Sequence, residues 1–312
     1  MRQYLLLSLV ALSAALLAAC GGGAPDDVIV EHQVVEVTAV YDPASNQHLF
    51  RSDADTVAAG WTTFRFINAS PMLHFVFLDH LPGDRTSEEL LREVSPVFQE
   101  AMNLINAGRP DDAAAQFATL PEWFGDLVFR GGPGFTSPGH VSEATLYLEP
   151  GNYVLECYIK TAEGVFHWNL GMYRDLHVTE EITGAQPPQN PTIEVTLTDS
   201  TFVAPEEVRP GEHVVAVHFQ EEEPGLIGGD IHVARLDPGI DQDEIVRWMD
   251  FNRLDGLVST ADNPGPAIFL GGVHEMPYGN TAYFNLTLEP GEYLWISEQP
   301  MDASTYRRFT VR

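Results

Sequence analysis

The phrase Leu148-Glu149-Pro150-Gly151-Asn152-Tyr153 recurs as Leu288-Glu289-Pro290-Gly291-Glu292-Tyr293. The same offset of 140 carries Phe129, Gly131, Gly132, Gly139 and Leu146 onto Phe269, Gly271, Gly272, Gly279 and Leu286, ten identities in 25 ungapped positions. A chain of 312 residues with such a repeat is an internal duplication, and each copy must build the same unit. Upstream, an offset of 158 aligns His74-Phe75-Val76-Phe77-Leu78-Asp79 with His232-Val233-Ala234-Arg235-Leu236-Asp237, which gives the first copy 18 extra residues between the matched blocks. Residues 184–191, Gly-Ala-Gln-Pro-Pro-Gln-Asn-Pro, carry no periodicity and read as a linker between domains at 33–183 and 192–312. Two units joined in this way are expected to fold separably, with the linker as the first protease target.

Within each copy short apolar/polar alternations punctuated by Pro-Gly turns read as strands: Val34 to Tyr41, Thr62 to Ile67, His74 to Asp79, Ala144 to Leu148, Tyr153 to Lys160 and Leu176 to Thr179 in the first. Such a pattern points to a β-sandwich. Between the matched blocks the spacing turns helical, with Leu90, Leu91, Val94, Val97, Phe98, Met102 and Ile105 on one face and a capping box at Thr86 and Glu89. The second copy has a shorter insert, Asp241 to Met249.

The N-terminus reads as an export signal. Arg2 precedes an apolar run, Leu5 to Leu17, too short to span a bilayer, and Leu17-Ala18-Ala19-Cys20 follows. This resembles a bacterial lipobox, which implies a signal peptide at 1–19, a lipidated Cys20 and a tether through residue 32 that begins with three glycines. The chain is then expected in the cell envelope, held to the membrane by its lipid. With Cys20 modified, Cys157 is the one remaining cysteine, so no disulfide closes within the mature chain. Acidic residues outnumber basic ones 45 to 16, a net charge of −29 that repels phosphate backbones and excludes nucleic acid as a partner.

Asn68-Ala69-Ser70-Pro71-Met72-Leu73-His74, Pro150-Gly151-Asn152-Tyr153-Val154-Leu155-Glu156-Cys157 and His167-Trp168-Asn169-Leu170-Gly171-Met172 together resemble the ligand-bearing segments of the cupredoxins, the blue-copper family. The resemblance implies an all-β fold: two tandem cupredoxin-like Greek-key β-sandwiches, each with a helical insertion, after the lipoprotein signal peptide. It also implies His74, Cys157, His167 and Met172 as candidate copper ligands, because a thiolate and two imidazoles with a weak axial thioether suit both oxidation states of copper. Two departures stand out: nine residues separate Cys157 from His167, with Lys160 to Gly164 reading as an inserted turn, and Phe75 follows His74 where many blue-copper proteins carry Asn. By the 140 offset Cys157 maps to Ser297, His167 to Arg307 and Met172 to Arg312, so the second copy is expected to hold no type 1 copper, and His232 is expected opposite His74.

Other motifs carry less. His274-Glu275 lacks the second histidine of a helical zinc motif, the glycine pairs at 131 and 271 precede no phosphate-binding helix, and Asp241-Gln242-Asp243 lacks the spacing of a calcium loop. No segment assembles a nucleophile with its base, so an enzyme is the least supported class. Two readings stay open. One is a lipid-anchored envelope protein whose metal-free cupredoxin-like domains bind a partner or ligand. The other is a copper-binding electron carrier with one type 1-like site in the first domain and a redox partner in the envelope. Copper is the sole cofactor either reading admits.

Overall fold

The computed structural model describes residues 33–198, 201–220, 229–298 and 306–312. The segment read as a signal peptide, Cys20 and the residues read as a tether lie outside the described residues. The first sandwich contains β1 (Gln33–Asp42), β2 (Gln47–Ser52), β3 (Thr56–Asn68), β4 (Phe77–Leu81), β5 (Val128–Phe129), β6 (Val141–Leu148), β7 (Gly151–Glu156) and β8 (Tyr173–Ile182). One face is formed by β2, β1, β3 and β6, the other by β5, β4, β7, β8 and the start of β3. Strand β3 serves both sheets and turns between them at Gly60, whose φ of +117° suits glycine and whose missing Cβ would meet Thr183 Cγ2 at 2.7 Å.

The second sandwich repeats this order with β9 (Ile193–Thr198), β10 (Thr201–Val203), β11 (Glu207–Val208), β12 (Gly211–Phe219), β13 (Ile231–Leu236), β14 (Ile268–Val273), β15 (Thr281–Leu288), β16 (Gly291–Ile296) and β17 (Tyr306–Val311). Parallel β9–β12 reproduces β1–β3, and parallel β11–β17 reproduces the β3–β8 contact. The repeated Leu-Glu-Pro-Gly-x-Tyr phrase has one physical cause in both copies. Tyr153 and Tyr293 each donate their hydroxyl to the carbonyl four residues back, Glu149 and Glu289, at 2.9 Å, and so lock the corner between two strands.

Strand register corrects the upstream alignment. Phe77 pairs with Glu156 and His232 with Ile296, so with β7 and β16 related by 140 the true offset of β4 and β13 is 155, not 158. His232 is therefore the counterpart of Phe77, and the counterpart of His74 is Gly229. The glycine pairs agree: a Cβ on Gly132 would strike Val76 O at 2.0 Å, and one on Gly272 would strike Ile231 O at 2.1 Å. The C-terminal mapping also shifts. Gly151 pairs with Val178 and Gly291 with Val311, so Arg307 and Arg312 are not the counterparts of His167 and Met172; those fall at 300 and 305, outside the described residues.

The helical insertion is three helices instead of one, α1 (Ser87–Glu93), α2 (Ser95–Asn106) and α3 (Pro110–Phe117). The capping box at Thr86 and Glu89 forms, and Pro96, at the start of α2 and without an N–H, separates α1 from α2. In the second copy α4 (Gln242–Met249) is capped by the Asp241 side chain, which accepts from Asp243 N.

The two sandwiches are more than tethered. Strand β6 pairs with β15 through Thr145–Tyr283, Ala144–Phe284 and Glu143–Asn285, fusing two faces into one sheet. A second set of main-chain bonds runs nearby, from Gly134 N to Gly272 O at 3.1 Å and from Gly271 N to Phe135 O at 2.8 Å. Buried apolar side chains form one continuous core that includes Val35 in the first sandwich and Val311 in the second. This shared core and the paired strands join the two sandwiches along a seam.

Candidate metal centre

Asn68 builds the turn that presents His74. Its side-chain amide donates to Met72 O and Thr136 O, both at 2.8 Å, while its Oδ1 accepts the Ser70 N–H at 3.1 Å. Ser70 Oγ then accepts the Met72 N–H at 3.2 Å and stands 2.9 Å from His74 Nε2. With Nε2 turned to that hydroxyl, His74 Nδ1 faces inward. Cys157 follows the last residue of β7, and a 3-10 turn over His167–Leu170 brings His167 and Met172 back beside it: Trp168 N donates to Cys157 O at 3.1 Å and Met172 N to His167 O at 3.0 Å. The inserted turn closes on itself, Thr161 N to Val165 O at 2.9 Å, and so leaves the pairing of Cys157 and His167 intact.

His74 Nδ1 lies 3.7 Å from Cys157 Sγ and 3.3 Å from His167 Nδ1, and His74, Cys157, His167 and Met172 are all fully buried. A trigonal first-row metal centre with bonds of about 2.0–2.1 Å to nitrogen and about 2.3 Å to sulfur needs donor separations of about 3.5 and 3.8 Å. The two separations measured from His74 match that geometry. His167 Nε2 has no hydrogen-bond partner, and the ring's one polar contact is the Nδ1 approach to His74. Where Asn would brace the sulfur in many blue-copper proteins, the backbone amides of Phe75 and Ile159 hydrogen-bond Cys157 instead. Burial pushes the Cys157 thiol up to about 12 and drives the His74 and His167 imidazoles well below their ordinary range, so without a cation the thiol is protonated and both rings are neutral.

A third imidazole joins them that sequence reasoning missed. His48, on β2, stacks on His167 with ring centroids 3.8 Å apart and planes at 19°, and His48, His74 and His167 bring ligand atoms within 4.8 Å of one another. Its signal was weak: β2 is a six-residue strand after the Asp42-Pro43-Ala44-Ser45-Asn46 turn, and only the buried alternation of His48 and Phe50 marks it.

Beneath the helical insertion lies a cavity of about 460 Å³ walled by aromatic side chains, among them Phe77, Phe98, Phe124, Trp168 and Phe251. Its floor is acidic: Asp79, Glu156, Glu275 and Glu298 line it and are buried, together with Tyr158, whose hydroxyl donates to Glu298 Oε2 at 3.0 Å. Burial pushes Asp79 up to about 8 and, reinforced by the neighbouring carboxylates, lifts Glu156 and Glu298 well above the carboxylate range. Of these acids only Glu275 was weighed from the sequence, in the pair His274-Glu275, and none was expected to turn inward.

The strand order, in which β1 and β8 both run parallel to the shared β3, is repeated by β9, β17, β12 and β11. The fold is cupredoxin-like in both halves. Among solved structures, auracyanin A, a blue copper protein from Chloroflexus aurantiacus, is 20% identical over 48% of this chain and 100% of its own, at a TM-score of 0.30. A multicopper oxidase is 12% identical over 89% of this chain and 88% of its own, at 0.25. The Cu-containing nitrite reductase of Thermus scotoductus SA-01 is 11% identical over 90% of this chain and 61% of its own, at 0.23. These overall similarities are slight, and the fold assignment rests on the strand order. No family model and no curated protein matches the chain.

Proposed function

We propose that this cupredoxin-like chain is a lipid-anchored envelope copper protein that carries single electrons through one type 1-like site in its first sandwich. His74, Cys157, His167 and Met172 would hold the copper, a thiolate and two imidazoles with a thioether suiting both of its oxidation states. The observation that carries this reading is the approach of His74 Nδ1 to both His167 Nδ1, at 3.3 Å, and Cys157 Sγ, at 3.7 Å, in a fully buried site. Bound copper would supply the one-electron couple, and the residues would hold its geometry fixed by burial and by the Asn68–Ser70 scaffold. The test is titration of the purified protein with copper. One equivalent with an intense visible sulfur-to-copper band supports the reading, and copper bound without that band, or no copper, rejects it. The aromatic cavity favours a second reading, a module for an apolar ligand, which a thermal shift with such ligands in the metal-free protein would reveal.

A further inference from the structure

Asp230, His232, His274 and Glu298 each offer a ligand atom within 4.8 Å of the others, and all four are buried. By strand register their counterparts in the first sandwich are Phe75, Phe77, Gly134 and Tyr158, so this cluster is not a worn copy of the thiolate site. Asp230 Oδ1 is committed, accepting the Ser297 hydroxyl at 2.6 Å and the Glu298 N–H at 2.8 Å, whereas its Oδ2 accepts no hydrogen bond. His274 sits among Phe75, Phe77 and Phe135 with neither ring nitrogen hydrogen-bonded, its Nδ1 standing 3.4 Å from Glu275 Oε2. A fully buried imidazole in that condition forfeits roughly the 1–3 kcal/mol of an unmet polar group unless a cation takes its lone pair.

His232 differs from its neighbours. Its Nδ1 accepts the Phe135 N–H at 3.2 Å, an approach that Gly134 permits because a Cβ there would lie 2.5 Å from that nitrogen. The neutral ring therefore carries its proton on Nε2, which faces Asp230 Oδ2 at 3.5 Å. It orients the carboxylate and cannot itself donate a lone pair from Nε2.

We propose that Asp230, His274 and Glu298 form a second metal site, for a carboxylate-preferring divalent cation of the manganese or iron(II) kind, with His232 as a positioning residue. Two carboxylates and a neutral imidazole match a double positive charge, and the absence of sulfur sets the site apart from the copper-selective one. Glu298 also lines the floor of the aromatic cavity, which gives the cation a route in.

The test is Mn²⁺ binding to the full chain, read from the paramagnetic resonance signal of the free ion. One equivalent is expected to bind. His274→Phe, which preserves the aromatic packing, and Glu298→Gln, which preserves size, should each weaken binding more than about 100-fold, while His232→Phe should cost about 10–100-fold. His232→Gln, whose amide can present an N–H toward Asp230 from the same place, should recover most of that loss. Cys157→Ser should bind Mn²⁺ as the native chain does, which separates this site from the copper reading. No Mn²⁺ binding by the native protein, undiminished binding by folded His274→Phe and Glu298→Gln, or loss of binding in Cys157→Ser would overturn the assignment.

Discussion

The imidazole of His48 lies flat on that of His167, 3.8 Å between centroids, and closes the one ligand ring that β2 could have left open. His48→Ala should keep the copper band yet let small anions reach the metal, which the native chain excludes. Loss of the buried ring should also cost about 2–4 kcal/mol in denaturant unfolding. A native protein whose copper spectrum already responds to azide would refute this shielding role.

Copper uptake should release a proton from Cys157. At pH 7 the thiol, pushed up to about 12, is protonated, and its histidine neighbours are neutral, so one equivalent of copper should displace about one proton. Calorimetry in buffers of different ionisation enthalpy measures this directly. Cys157→Ser should release none and show no intense visible band.

Stability should fall as pH rises from about 4 to 8. Asp79 is pushed up from 3.8 to about 8, so the folded chain holds a proton that the unfolded chain has lost; the stabilisation is full below 3.8 and disappears as pH rises through the folded value. Each such carboxyl contributes a slope of about 1.4 kcal/mol per pH unit within its window, and Glu156 and Glu298 act in the same direction. Asp79→Asn should flatten the slope of melting temperature against pH. An unchanged slope would mean that Asp79 is ionised in the folded protein.

Protease should cut first within 184–191, as the sequence suggests, but the products should stay together. The β6–β15 pairing and the shared core predict a single thermal transition for the intact chain and co-elution of the nicked halves. Two well-separated transitions would show the seam to be weak.

Cys20→Ala should release the protein from the membrane fraction, because the lipobox reading makes that residue the point of lipid attachment. Unaltered membrane association in that variant would end the anchor assignment.

Much of the architecture was legible because the repeat imposes the same corner twice: Tyr153 and Tyr293 fix it by one hydrogen bond each, and sequence preserves what geometry requires. That His74, Cys157, His167 and Met172 come from segments brought together was legible as well, because the Asn68 turn and the β7 end are local structures. The alignment of His74 with His232 misled because it matched residue identity, whereas the true register is set by backbone contacts of Gly132 and Gly272 that no alignment of side chains displays. The buried acids were invisible for another reason. Among 45 acidic residues nothing in composition separates the few that turn inward. Their places are nonetheless systematic: Glu156 ends β7, Glu275 and Glu298 follow β14 and β16 by two residues, and Asp230 precedes β13.

The seam pairs each element with its own double. Ala144 faces Phe284, its repeat counterpart, and Pro133 bridges Val273, its counterpart too, so the contact has the self-complementary form of a two-fold homodimer interface held within a single polypeptide. Without that contact β6 and β15 would each end a sheet with a row of unsatisfied amides and carbonyls, the usual template for unwanted strand addition. A lone sandwich of this kind would be a monomer in search of a mate. Duplication supplies the mate at an effective concentration no partner in solution could match, and leaves the two copies free to differ inside, Cys157 in one standing where Ser297 stands in the other.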